Sequence, residues 1–298
     1  MKRLISANAS EILAMNASEL KQSIKASEGR VILSENVATR ETYIGDITNA
    51  EIARAFGADL ILLNCVDLFD PDIYGLEHGR DDFVEKLHHL VGRPVGVNLE
   101  PVDLEADMLE DRLDIPRGRQ LNVDTVKRLE ELGFDFVCLT GNPGTGVTND
   151  QIEKAVRLTK EHFSGMVIAG KMHGAGSDEP VADLDTARRF VQAGADVILV
   201  PAVGTVPGFD AEELKAVVKE VHRCGSLVLS AIGTSQESSD TDTIKEIALM
   251  NKICGVDIQH IGDAGYGGVA PVENILAISK AVRGVRHTVS MIARSINR

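Results

Sequence analysis

Tryptophan is absent from the 298 residues, and all aromatic side chains together make up 4 %. Platforms that stack nucleobases are built from such side chains. Basic charge is also short, with 31 Lys and Arg against 45 Asp and Glu and a formal net charge of −14. A grip on a phosphate backbone needs a basic face. No apolar run approaches the roughly 20 residues that span a bilayer. Neither a nucleic-acid nor a membrane partner is therefore expected. An anionic small molecule stays open, because loops can be locally positive inside an acidic envelope. Cysteine is sparse, and Cys65, Cys138, Cys224 and Cys254 form no C-x-x-C pair. Polar residues from Ser6 to Glu11 interrupt any leader-like segment after Lys2 and Arg3. The thiols read as reduced, in a cytoplasmic protein. Low-complexity tracts and Pro-rich linkers are missing too, so a single domain over 1–298 is expected. The sequence leaves a homo-oligomer open.

What is present is repetition. Gly57-Ala-Asp-Leu-Ile-Leu-Leu-Asn64, Gly133-Phe-Asp-Phe-Val-Cys-Leu-Thr140, Gly194-Ala-Asp-Val-Ile-Leu-Val-Pro201 and Gly255-Val-Asp-Ile-Gln-His-Ile-Gly262 are variants of one phrase. A second phrase, Gly before an apolar run, falls between them at Gly29–Asn36, Gly92–Glu100, Gly165–His173 and Gly225–Gly233. Repetition of this kind is an architectural signal. Eight buried-type strands alternating with helices call for a parallel sheet, and eight strands close a (β/α)₈ TIM barrel of the α/β class.

The strands are expected at 30–35, 59–65, 94–99, 135–140, 166–171, 196–201, 226–231 and 256–261. Helices are expected at 48–57, 81–91, 123–132, 150–162, 184–194, 210–224, 241–254 and 271–283. A helical lead-in (1–28) is read as a plug for the barrel bottom, the barrel as 29–284, and a terminal helix as 285–298. Gly before each strand suits a helix stop, since it tolerates the left-handed conformation. No chemistry is assigned to Asp59, Asp135, Asp196 or Asp257. The longest connections, 101–122 and 66–80, follow strands, which places them at the C-terminal face where barrel chemistry sits.

Side chains two apart along a strand share a face. Glu35, Asn64, Asn98, Glu100, Lys171 and His173 are thereby expected to converge at the mouth, with Thr140 and Asn142 as further ligand-binding residues. A desolvated Lys171 can act as base or Schiff-base former. His173 suits proton transfer near neutrality, with Glu100 as the orienting carboxylate. The alternative for Lys171 is an ion pair with Glu35 or Glu100. Glu35, Asp67 and Glu100 are weak candidates, with His173, for a divalent metal such as Mg²⁺. Gly233-Thr234-Ser235 and Gly262-Asp263-Ala264-Gly265 end the last two strands, where this fold commonly binds phosphate. Asp263 itself would repel phosphate and reads as a cap, a metal ligand or a hydroxyl acceptor. Asp240-Thr-Asp242 has the spacing of a phosphohydrolase nucleophile motif but sits late in the chain, behind polar residues, where a helix cap fits better.

Gly57–Asn64, Arg93-Pro-Val-Gly-Val-Asn98, Gly194–Pro201 and the stretch from Val203-Gly-Thr205 to Glu213-Leu214 resemble BtpA-type and phosphoenolpyruvate-mutase-like barrels. The whole chain is similar to a bacterial family labelled phosphonomutase-like or haloacid-dehalogenase-like. The mutase family's Lys-Lys-Cys-Gly and Asp-rich metal segments do not occur. The resemblance implies a TIM barrel. The expected function is that of a lyase, aldolase or isomerase acting on a small phosphorylated or carboxylated metabolite. A non-catalytic binding or assembly protein of BtpA type is the alternative, and a phosphohydrolase a lesser one.

Overall fold

In a computed structural model that describes residues 1–76 and 80–298, eight parallel strands close into a barrel in sequence order. They are β1 (Val31–Val37), β2 (Leu60–Asn64), β3 (Val95–Leu99), β4 (Phe136–Leu139), β5 (Met166–Gly170), β6 (Val197–Pro201), β7 (Leu227–Ile232) and β8 (Ile258–Ile261). Pairing of β1 with β8, Leu33 opposite His260, closes the ring. Ten α-helices lie among the described residues: α1 (Ala9–Leu13), α2 (Ala17–Lys25), α3 (Asn49–Phe56), α4 (Phe83–Val91), α5 (Val123–Leu132), α6 (Asn149–His162), α7 (Leu184–Ala193), α8 (Ala211–Arg223), α9 (Thr241–Cys254) and α10 (Val272–Ala293). The helices expected at 271–283 and 285–298 are the two arms of α10, which breaks at Gly284 (φ 72°, ψ 167°) and ends at Ala293. Part of the connection expected at 66–80, residues 77–79, lies outside the described residues.

Both faces of every strand are buried, as parallel sheets require. One parity packs outward against the helices, as with Ile32, Ile61, Val97 and Val228. The other fills the interior, as with Leu33, Leu62, Phe136, Ile168 and Leu229. Room for the Phe136 ring comes from Gly96, where a Cβ would stand 2.3 Å from it. The lead-in joins this interior cluster through Leu4, Ala7, Ile12, Leu20 and Ile24, so the lower end of the barrel is packed with side chains.

The Gly-x-Asp phrase does more than stop a helix. Its four glycines all have positive φ, and each Asp then reaches sideways to the neighbouring odd-numbered strand. Asp59 accepts from Ile32 N (2.9 Å), Asp135 from Val95 N (2.7 Å), Asp196 from Val167 N (3.1 Å) and Asp257 from Val228 N (2.9 Å). Each carboxylate also meets a cationic or imidazole group from the helix that precedes that strand around the ring. These are Arg283 of α10 (2.6 Å), His88 of α4 (2.7 Å), Lys160 of α6 (3.2 Å) and His222 of α8 (2.7 Å). An amide N–H that opens a strand would otherwise be buried without a partner, at a cost of about 1–3 kcal/mol.

The four Asp positions differ in depth, and that difference is testable. Asp59 and Arg283 form a fully buried pair, whereas the Lys160 side chain beside Asp196 is 36 % exposed. Asp59→Ala strands a buried guanidinium and is expected to cost about 3–5 kcal/mol. Asp196→Ala is expected to cost about 1–2 kcal/mol, chiefly the lost N–H partner. Urea unfolding monitored by circular dichroism compares the two, and equal losses would remove the buried pair from the explanation.

Candidate functional site

Inward parity delivers polar side chains to the C-terminal ends of the strands. Glu35 comes from β1, Asn64 from β2, Asn98 from β3 and His260 from β8, while Thr140, Gly233 and Gly262 follow the last residues of β4, β7 and β8. There a cavity of about 140 Å³ opens. That is close to the roughly 150 Å³ that accommodates a benzene-sized molecule. Its walls include Glu35, Asn64, Asn98, Thr140, Asn142, His173, Glu237 and Asp263, with Met172 as an apolar patch. No Lys or Arg lines it.

Glu35 is held on two sides. One oxygen accepts from Asn98 Nδ2, and the other lies 3.0 Å from His260 Nε2. All three side chains are buried. Asn64 donates to Asp263 Oδ2 (2.9 Å) and to Asn142 Oδ1 (2.9 Å), linking the ends of β2, β4 and β8. Burial, then the nearby charge of Glu35, raises the Asp263 carboxyl to about 7. Burial also raises Glu237 and lowers His173. His173 Nδ1 accepts the amide of Ala175 at 3.0 Å. In the neutral ring this puts the proton on Nε2.

Several buried polar atoms around the cavity have no partner: Glu237 Oε2, Asn98 Oδ1, Thr140 Oγ1 and His260 Nδ1. Most of the backbone strain lies at the same end. Of the five non-glycine residues in the left-handed region among those described, Cys65 (φ 64°), Ala175 (φ 51°), Thr234 (φ 56°) and Ser235 (φ 69°) are here, and Glu28 (φ 54°) lies before β1. Such conformations persist only where surrounding structure enforces them, and they cluster at ligand sites.

Four expectations need correcting. Lys171 does not reach the mouth. It follows β5, its Nζ donates to Ser177 Oγ (2.9 Å) and pairs with Glu179, and Met172 takes the inward place. Its expected ion-pair partners, Glu35 and Glu100, are engaged elsewhere. Glu100 is buried behind the wall, accepting from Asn142 N (2.8 Å), Asn142 Nδ2 (3.0 Å) and Arg119 (2.7 Å), so it anchors the turn that carries Asn142. The proposed metal ligands do not converge either. Asp67 accepts the amide of Phe69 within its own loop, and no group of three metal-binding side chains forms among the described residues. Glu35, Asp67 and Glu100 therefore do not form one metal site.

The expected phosphate cradle is the fourth. Gly233, Thr234, Ser235, Gly262, Asp263 and Ala264 do line the cavity. Gly265 does not; a Cβ there would stand 1.9 Å from Val269 O. A protein carboxylate already occupies the turn, since Glu237 Oε1 accepts the amide of Ala264 at 3.1 Å. Gly262 leaves room for it, because a Cβ there would stand 2.6 Å from the same oxygen. Asp240 is a helix cap, accepting from Asp242 N and Thr243 N at 3.0 Å each.

Two residues escaped the sequence reading. His260 was legible in principle, since Ile258, His260 and Gly262 alternate inward along one strand. Glu237 lies on a short 3₁₀ turn, Gln236–Ser238, where no periodicity tells which way a side chain points.

A family profile described as a domain of unknown function (DUF7916) matches residues 5–298. Compared by sequence with curated proteins, the chain matches none. Among solved structures it is similar to 2,3-dimethylmalate lyase, a member of the PEP mutase/isocitrate lyase superfamily, with a TM-score of 0.50 at 14 % identity over 86 % of this chain and 81 % of that one. It is also similar to a BexX/CysO complex from Amycolatopsis orientalis, with a TM-score of 0.52 at 13 % identity over 88 % of this chain and 91 % of that one. At such identities the likeness is one of fold. No helix among the described residues is long and apolar enough to cross a membrane.

Two outcomes follow from this geometry. Lys171→Met leaves Glu179 without its cation and should destabilise by about 3 kcal/mol, the lower end for a broken buried pair, because Glu179 keeps the Asn149 amide (2.7 Å). Adding Glu179→Gln should recover part of that loss in urea unfolding, and no recovery would refute the pairing. The second concerns pH. Folded Asp263 holds its proton up to about 7, whereas 3.8 is its ordinary value. Between those values the folded state binds the extra proton, so this group's contribution to stability is full at low pH and is lost as pH rises through the window. Asp263→Asn cannot lose a proton. Relative to wild type it should gain several degrees in Tm between pH 5 and pH 8, at about 2–4 °C per kcal/mol. A parallel pH profile for the two proteins would remove the carboxyl from the account.

Proposed function

The chain belongs to the DUF7916 family, and on that premise we propose that it is a small-molecule enzyme of lyase or isomerase type, working at the barrel mouth. The observation that carries this reading is a pair of titratable groups with opposite shifts in one cavity. Asp263 is raised to about 7 and His173 is lowered. Acid–base sites are built from titratable groups whose environments push their pKa values in opposite directions. Titratable and amide side chains gathered at the strand ends, Glu35, Asn64, Asn98, His173 and Asp263 among them, favour chemistry over a purely structural scaffold. The lyase name of one relative in fold adds an analogy of architecture only.

In this reading Asp263 is the general base. With a pKa near neutrality it can take a proton from a carbon next to a carbonyl and return it at a neighbouring carbon. His173, neutral because burial disfavours its charge, donates from Nε2 to the carbonyl oxygen as negative charge builds there. Asn64 holds the Asp263 carboxyl in place, and the Glu35 charge keeps its proton affinity high. Lys171 has no role in the chemistry, since it faces away from the cavity. No step is routed through a metal.

Solvent-proton exchange tests the assignment without knowing the product. Small carbonyl and hydroxy compounds, with and without phosphate or amine groups, are incubated with enzyme in D₂O and followed by NMR. Wild type should exchange a carbon-bound proton in at least one of them, faster as pH rises through about 7. Asp263→Asn should reduce that rate by about 10²–10⁴-fold, and His173→Gln by about 10²–10³-fold. Exchange that survives Asp263→Asn, or its absence throughout, overturns the proposal in favour of a binding or assembly role.

A further inference from the structure

We infer that the mouth cavity receives its ligand through a positively charged ammonium group, at the corner framed by Glu35, Glu237 and Asp263. This rests on the reading of that cavity as the working site, and it deepens that reading by naming a ligand class. Three carboxylates from three separate segments line a cavity of about 140 Å³, and no Lys or Arg lines it with them. The imidazole of His260 lies against Glu35 and is fully buried. Charge of one sign in a small space is unfavourable unless carboxyls take up protons, as Asp263 does below about pH 7, or something of opposite sign joins them.

The hydrogen-bonding ledger points the same way. Asn98 Oδ1 can only accept, as can Glu237 Oε2 when the carboxyl is ionised, and both are buried without a donor among the described residues. Glu237 is 3 % exposed and so is Asn98. A buried polar atom left unpaired is costly. An ammonium carries three donors and no acceptor. A phosphate or carboxylate ligand would bring acceptors to acceptors. At the Gly262–Ala264 turn the Ala264 amide is already taken by Glu237. A divalent cation completed by water would draw on the same carboxylates, so it is tested as a separate arm.

Three small probes of similar size separate the cases: ethanolamine, ethylene glycol and glycolate, which are cationic, neutral and anionic. Each is titrated into the full chain at pH 7.5 and matched ionic strength, with sodium phosphate and magnesium chloride as further arms. Thermal unfolding and calorimetry read binding, which raises Tm in proportion to the logarithm of ligand concentration above Kd. Ethanolamine should bind at least about tenfold more tightly than glycol or glycolate, and Glu237→Gln should weaken it by about tenfold or more, the scale of one hydrogen bond to a charged group. Equal effects of the three probes, a stronger effect of glycolate or phosphate, stabilisation by magnesium alone, or no binding of ethanolamine would each overturn the inference. Should Glu237→Gln fail to fold, the wild-type comparison decides alone. Binding is read without turnover, so the two proposals fail separately. Proton exchange on an anionic compound, with glycolate outbinding ethanolamine, would leave the catalytic reading standing and sink this one. Ethanolamine binding with no exchange would do the reverse.

Discussion

Everything above the barrel floor depends on a carboxylate meeting a backbone amide, four times over. The Asp just before β2, β4, β6 and β8 holds the first or second amide of the preceding strand, and register in a sheet with period-two side chains is an all-or-none matter. A slip of one residue would exchange Leu33 for Ile32 in the interior and turn Glu35 toward the helices. By pinning the strand starts, the four carboxylates decide which side chains reach the other end. The spacing of the motif is that of a βαβα unit, so the ring is four copies of a two-strand block whose charged clamp is supplied by the helix leading into it.

This explains what was legible and what was not. Gly-x-Asp and the apolar runs mark strand starts almost to the residue, because a helix stop, an acceptor and a buried strand are all local properties. Asn64 and Asn98 follow from alternation inside a strand, and so does Glu35. Lys171 does not, for a physical reason. In a strand buried on both faces, either parity is apolar, and Met166, Ile168 and Ala169 do not say which side is inside. The clue was Gly170, at φ 149°, where the strand runs against β6. A Cβ there would stand 2.0 Å from Leu199 O. Beyond it the chain has left the sheet, so a two-residue count from Lys171 to His173 no longer measures a shared face. His173 reaches the cavity by the path of a loop, and Glu237 by that of a 3₁₀ turn. Glu100 continues the alternation of β3 but ends behind the wall, because Arg119 and the Asn142 turn supply stronger partners there than the open cavity does.

At the C-terminal mouth buried carboxylates, unpaired acceptors and left-handed non-glycine backbone coincide around one small space, whereas the interior of the lower end is packed with mostly aliphatic side chains. A polar group that costs stability is retained only where the remaining structure can carry it. Glu237 is the clearest case. It turns a glycine-rich bend that would suit an external anion into an internal salt-free contact, and it reverses the charge that the cavity offers to solvent.

The contact between Glu35 and His260 joins residues 225 positions apart in the chain. It crosses the seam between the first strand and the last. Contacts of such long range form late, because the entropy of closing the intervening chain must be met before they contribute anything. An arc of six or seven strands would already possess most of its hydrophobic layers, yet it would have no such pair and no finished cavity wall. The cavity end of this molecule is thus completed by the closing event itself, and an arc that has not closed lacks the wall that Glu35 and His260 form together.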